Sequence, residues 1–207
     1  MKPFLFQQAV RAAAAAAILL LAAGPGSAGT VDAYGHQHEG TAGLRRTVAS
    51  VVLPDVSLVD QTGRTVSLPR EADDGRPVVL SFIYTTCTAV CPLTTATLAQ
   101  LQAELGTQRD RVHIMSISID PEQDTPKRLA EYARVHGAGP EWQHYTGTAQ
   151  ASLTVQRAFD VYRGDKMTHT PVTFIRRTPG QPWVRLDGFA TADELRRELP
   201  QLGLASN

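Results

Sequence analysis

The chain is poor in cysteine, methionine and aromatic residues, and it has no charge of one sign to spare. It holds two cysteines and three methionines in 207 residues, and 6% of its residues are aromatic. Twenty basic residues face twenty acidic ones. That balance gives no electrostatic case for nucleic acid or for an anionic membrane surface. No glycine-rich phosphate loop and no Ser-His-Asp signature is present, which leaves nucleotide chemistry and serine hydrolysis without support. No internal repeat is visible. The one long apolar run, Ala12 to Ala23, is short for a membrane span.

That run has the pattern of an export leader. Lys2 and Arg11 precede it, and Gly26-Ser27-Ala28 offers a small-residue cleavage site. The expectation is a signal peptide over residues 1–28, or an anchor if it is not cut, and hence a periplasmic or otherwise extracytoplasmic protein. Residues 29–50 read as a flexible linker, rich in Gly, Ala, Thr and His. Its His36-Gln-His38-Glu39 is a candidate weak metal-binding arm set against a plain solvated tail. The folded domain is expected over residues 51–207.

Within that domain the pattern alternates. Val56–Asp60 and Thr65–Leu68 flank Gln61-Thr-Gly-Arg64 and predict a hairpin. Val78–Tyr84 is a continuous apolar run and predicts a buried strand. Leu98, Leu101 and Leu105 recur at helical spacing. Val112–Ile119 predicts a strand, and Thr125-Pro126 opens a helix carrying Leu129, Tyr132, Ala133 and His136. Val155, Ala158, Phe159 and Tyr162 predict another helix. Pro171–Arg176 and Trp183–Phe189 predict a second hairpin, and Ala192, Leu195, Leu199 and Leu202 a last helix. Strands alternating with helices and ending in a hairpin predict an α/β domain: a thioredoxin-like fold, with a mixed central sheet flanked by helices and an N-terminal β-hairpin.

The two cysteines lie together in Phe82-Ile-Tyr-Thr-Thr-Cys87-Thr-Ala-Val-Cys91-Pro92, where a strand meets a helix. A structural disulfide between them would close a tiny loop, where the chain-entropy gain is smallest. The first turn of a helix favours thiolate, because its backbone N–H groups are unpaired. Thiolate serves both disulfide exchange and soft-metal binding, so both readings stand. A third ligand separates them. His169, in Lys166-Met-Thr-His169-Thr-Pro171, is the candidate, since the loop before that strand comes up beside the cysteine turn in a thioredoxin-like core. Two thiolates and an imidazole suit copper, whereas zinc more often takes four protein ligands. His113 and His136 read as structural. His144, in a strand or loop, has no evident partner. Met167, close to His169, could offer a thioether, but a Met near an apolar strand reads as packing.

These residues resemble the Sco/SenC family. The Phe82–Pro92 segment is similar to its aromatic-rich strand ending in C-x-x-x-C-P. Ser118-Ile-Asp120-Pro121-Glu-Gln-Asp124-Thr125-Pro126 is similar to its D-P-x-x-D-T-P signature, and His169 stands where the family has a copper-ligand histidine. The resemblance implies a copper-binding metallochaperone or thiol-redox protein that assists assembly of the copper centre of cytochrome c oxidase. It implies one copper ion, Cu(I) or Cu(II), per chain, held by Cys87, Cys91 and His169. Its partner would be the oxidase copper-centre subunit or another copper chaperone. Asp120 would orient a ligand, and Asp124 and Thr125 would start a helix. Thr168 stands where the family often has an acidic residue. Thr170-Pro171 looks like the substrate-docking loop of ordinary thioredoxin-like proteins. A periplasmic thiol–disulfide oxidoreductase, with Cys87 and Cys91 as its redox pair, is therefore the alternative.

Overall fold

The computed structural model describes residues 43–200. The expected leader, the His36-His38 arm and Leu202 lie outside them. Eight strands form one mixed sheet in the order β1-β8-β7-β4-β5-β6-β2-β3. They are β1 Arg45–Ala49, β2 Ser57–Asp60, β3 Thr65–Ser67, β4 Val78–Ile83, β5 His113–Ser118, β6 Trp142–Thr146, β7 Val172–Arg176 and β8 Trp183–Asp187. The helices are α1 Leu68–Ala72, α2 Cys91–Leu105, α3 Pro126–Val135, α4 Ala149–Ala158 and α5 Ala192–Glu198. This is the thioredoxin-like α/β architecture that the strand–helix order predicts.

β4, β5 and β6 are parallel, joined through α2 and α3, while β7 runs antiparallel to β4. β4 is buried along its whole length, which is why it reads as an unbroken apolar run. Its side chains still alternate. Val78, Leu80 and Phe82 enter one core with Val155, Phe159 and Phe174. Val79 enters the other, with Leu98, Leu101 and Leu105 of α2 and Leu195 of α5. Each fully buried Leu or Phe contributes about 1.5–3 kcal/mol of transfer free energy.

Local chemistry sets several boundaries. Pro126 takes the first turn of α3, and Thr125 caps it by accepting from the Arg128 amide. Thr191 and Glu194 form a reciprocal capping box on α5. α4 stops at Ala158, so Phe159 packs into the core from the helix end and Tyr162 lies beyond it, exposed. The sheet takes in Arg45–Ala49, which the sequence reading assigned to the linker. β1 pairs with β8, register Arg45 to Asp187, so ordered structure begins before Val51. Of the strand or loop expected at His144, the structure forms the strand β6, and the short helix α1 is not marked by the sequence pattern.

His113 is buried and contacts the Tyr145 hydroxyl at 3.0 Å and the Glu71 carbonyl at 3.1 Å. His144 is also buried. It stacks on Trp142, and neither ring nitrogen has a hydrogen-bond partner among the described residues. Burial and the neighbouring His136 push its pKa down to about 4.

Candidate functional site

The site sits at the carboxyl ends of the parallel strands, where open α/β sheets present ligands. Three connections meet there. The loop after β4 carries the cysteines, and the loop after β5 carries Asp120 and Asp124. The chain entering β7 carries His169. Antiparallel pairing of β7 with β4, register Ser81 to Thr173, sets the start of β7 beside the end of β4. His169 Nε2 accordingly reaches the Phe82 carbonyl at 3.2 Å.

Both cysteines are free thiols and buried, packed with Ile83, Tyr84 and Leu129. Val90, the residue before α2, supplies no side-chain cap. The sulfur of Cys87 takes that place, accepting the Cys91 amide at 3.3 Å. The two thiols are thereby set apart. Burial works against ionising Cys87, but hydrogen bonds outweigh it. They come from the Cys91 thiol and the Cys91 and Ala89 amides, and they hold Cys87 below the usual thiol range. Cys91 goes the other way: burial first, then the hydrogen bond to Cys87, push it far above that range. The helix start therefore favours thiolate at Cys87 rather than at the helical residue Cys91. We expect iodoacetamide to alkylate Cys87 well before Cys91. The Cys87 rate should rise with pH and level off below the pH where an ordinary thiol does. Equal rates at both thiols, read by peptide mass spectrometry, would contradict this asymmetry.

Asp124 has a different task from the helix start that its position suggested. It is fully buried and accepts from the Thr85 amide at 3.1 Å, the Thr85 hydroxyl at 2.5 Å and the Ser118 hydroxyl at 2.6 Å. It clamps the turn that leads into Cys87 onto the end of β5. Thr125 alone caps α3. Asp120 holds the other side of the site: its carboxylate pairs with Lys166 at 2.5 Å, three residues before His169. The D-P-x-x-D spacing thus supplies one carboxylate to the cysteine loop and one to the histidine loop. Sequence reasoning had placed Asp120 near the site and missed the role of Asp124, whose only signal was a polar residue following a buried strand.

His169 is half-buried, and burial lowers its pKa although the Phe82 carbonyl acts in the opposite sense. A carbonyl only accepts, so Nε2 carries the proton and Nδ1 keeps its lone pair. A cleft of about 360 Å³ opens beside the ring, lined by Asp120, Glu122, Gln156, Tyr162, Arg163 and Lys166 among others. Among the described residues, no three His, Cys, Asp or Glu side chains converge as a metal-holding group. The structure brings Cys87 and Cys91 together and sets His169 at the same end of the sheet. The donor types are soft sulfur and imidazole, a set that fits copper. Met167 does not pack as the sequence suggested, being 71% exposed.

The family model for SCO1/SenC matches residues 45–202. The SCO1 protein homolog of Bacillus subtilis is 36% identical over 95 residues, covering 45% of this chain and 48% of that protein. The mitochondrial SCO2 homolog of Bos taurus is 35% identical over 133 residues, covering 62% of this chain and 47% of that protein. The chain thus spans about half the length of these curated relatives. Among solved structures, Bradyrhizobium japonicum ScoI with copper bound superimposes with a TM-score of 0.60 at 25% identity, covering 72% of this chain and 99% of that one.

Proposed function

On the premise that this chain belongs to the SCO1/SenC family, we propose that it captures one copper ion through Cys87, Cys91 and His169. It then passes that ion to an acceptor during assembly of the copper centre of cytochrome c oxidase. The observation that carries this reading is the free cysteine pair, with Cys87 eased toward thiolate, at the end of β4 where the loop carrying His169 enters β7. Copper is cargo here. Cys87 and Cys91 provide soft sulfur, and His169 would complete a low-coordinate site through Nδ1. Such a site lets the acceptor's ligands replace the donor's one at a time. The acceptor is the oxidase copper-centre subunit or another copper chaperone. Residues 1–28 would direct the chain to the extracytoplasmic side of the membrane.

The split between the two thiols favours a second role, reduction of a partner disulfide. The Cys87 thiolate attacks one sulfur of that disulfide, and its partner sulfur leaves as a thiolate. Cys91 then gives up its proton and attacks Cys87, forming the Cys87–Cys91 disulfide and freeing the second partner thiol. Two electrons pass from this chain to the partner. Oxidation also removes both copper thiolates, so the two roles exclude each other at any instant.

Anaerobic Cu(I) titration of the reduced and oxidised protein tests the copper reading. The reduced chain is expected to bind one equivalent and the disulfide form none. His169→Ala should weaken binding by roughly tenfold or more. Equal binding by both redox forms would sink the proposal. Unchanged affinity in His169→Ala would leave the thiol-exchange role as the better account.

A further inference from the structure

The chain has three methionines. Met1 lies outside the described residues, and Met115 is completely buried in β5. Met167 is 71% exposed, although an apolar side chain of its size normally finds a core to enter. It stands on the turn Lys166–Thr168, two residues before His169. That turn is tied down at several points. Asp165 accepts the Met167 amide at 2.9 Å, Lys166 is paired with Asp120, and His169 is held by the Phe82 carbonyl. The sulfur is tied as well, since the Tyr84 hydroxyl donates to Sδ at 3.7 Å. Tyr84 belongs to the same packed cluster as Cys87 and Cys91. One tyrosine side chain therefore spans the interval between the dithiol and an exposed thioether.

We propose that Met167 supplies a third sulfur, a thioether, to Cu(I) at the solvent side of the Cys87–Cys91 site. This rests on the copper reading above and extends its ligand set. A thioether is soft and suits Cu(I). It is neutral and has no proton to lose, so it binds a soft cation without first giving up a proton. Its flexible stem lets it swing out with the metal. Tyr84 presets the sulfur at the margin of the cluster that holds both cysteines.

The test uses the reduced full chain labelled with methyl-¹³C methionine, titrated anaerobically with Cu(I), which is diamagnetic. Met167→Leu, a volume-conserving change at an exposed position, identifies the Met167 signal. The expected result is that the Met167 methyl signal shifts to completion at one equivalent while Met115 stays in place. In competition with bathocuproine disulfonate, Met167→Leu should surrender Cu(I) several-fold more readily than the unsubstituted chain. An unmoved Met167 signal, or equal Cu(I) retention by Met167→Leu, overturns the proposal. If the unsubstituted chain takes up Cu(I) with Met167 unmoved, only this ligand assignment falls. If it takes up no Cu(I), the copper reading falls with it.

Discussion

Cys87→Ser and Cys91→Ser are each expected to lower Cu(I) affinity by more than roughly 100-fold, above the range typical for loss of an outer-shell partner. A hydroxyl is a hard donor that keeps its proton at neutral pH, so either change leaves one thiolate on a soft metal. The two variants should differ in other respects. Cys87→Ser removes the more acidic thiol and with it the attack on a partner disulfide. Its hydroxyl can still accept the Cys91 amide that Cys87 Sγ accepts at 3.3 Å, so the start of α2 should hold. Cys91→Ser instead sets a hydroxyl among Ile83, Tyr84 and Leu129. We expect it to cost about 1–2 kcal/mol in urea unfolding. It should also leave Cys87 able to form a mixed disulfide that it cannot resolve. Chelator competition measures the first effect, and trapping of the mixed disulfide measures the second. If either serine variant keeps Cu(I) as tightly as the parent, the dithiol is not the copper site.

The second large effect is expected at Asp124, which touches neither sulfur. Asp124→Ala strips the acceptor from the Thr85 amide, the Thr85 hydroxyl and the Ser118 hydroxyl in one step. Of the donors left behind, the Ser118 hydroxyl is buried and the Thr85 amide and hydroxyl are partly so. Stranding them should cost about 2–4 kcal/mol of stability. The turn before Cys87 also loses its attachment to β5, so Cu(I) affinity should fall by roughly 10–100-fold in protein that is still folded. Asp124→Asn keeps one carbonyl acceptor and should lie between the two. Urea unfolding and copper titration of both variants check this. A stability change below about 0.5 kcal/mol for Asp124→Ala would mean that the clamp carries no weight.

Much of this molecule was open to reading along the chain. The burial of β4, the start of α3 at Thr125-Pro126 and the spacing of Leu98, Leu101 and Leu105 depend on residues close in sequence. Their physics is local: hydrogen bonds within a turn and periodic burial of one face. The cysteine pair at a strand-to-helix junction was legible for the same reason. That His169 lies at the same end of the sheet followed from topology, because a strand antiparallel to β4 must begin where β4 ends.

What tertiary structure alone decided involves partners far apart in the chain. β1 is a strand because β8 offers it an edge, and nothing within Arg45–Ala49 announces that pairing. Asp124 serves as a clamp only because parallel pairing of β4 and β5 brings their carboxyl ends level. The acidity order of the two thiols was also beyond the sequence. Helix position alone favours thiolate at Cys91, but burial penalises it there, and the hydrogen bonds converge on Cys87. Met167 looked like packing until the turn placed it in solvent with its sulfur on Tyr84. Sequence by itself determined which donors the chain owns and which elements carry them. Folding decided which of those donors is ionised, which is clamped and which faces the solvent, because these depend on desolvation and on contacts between distant segments.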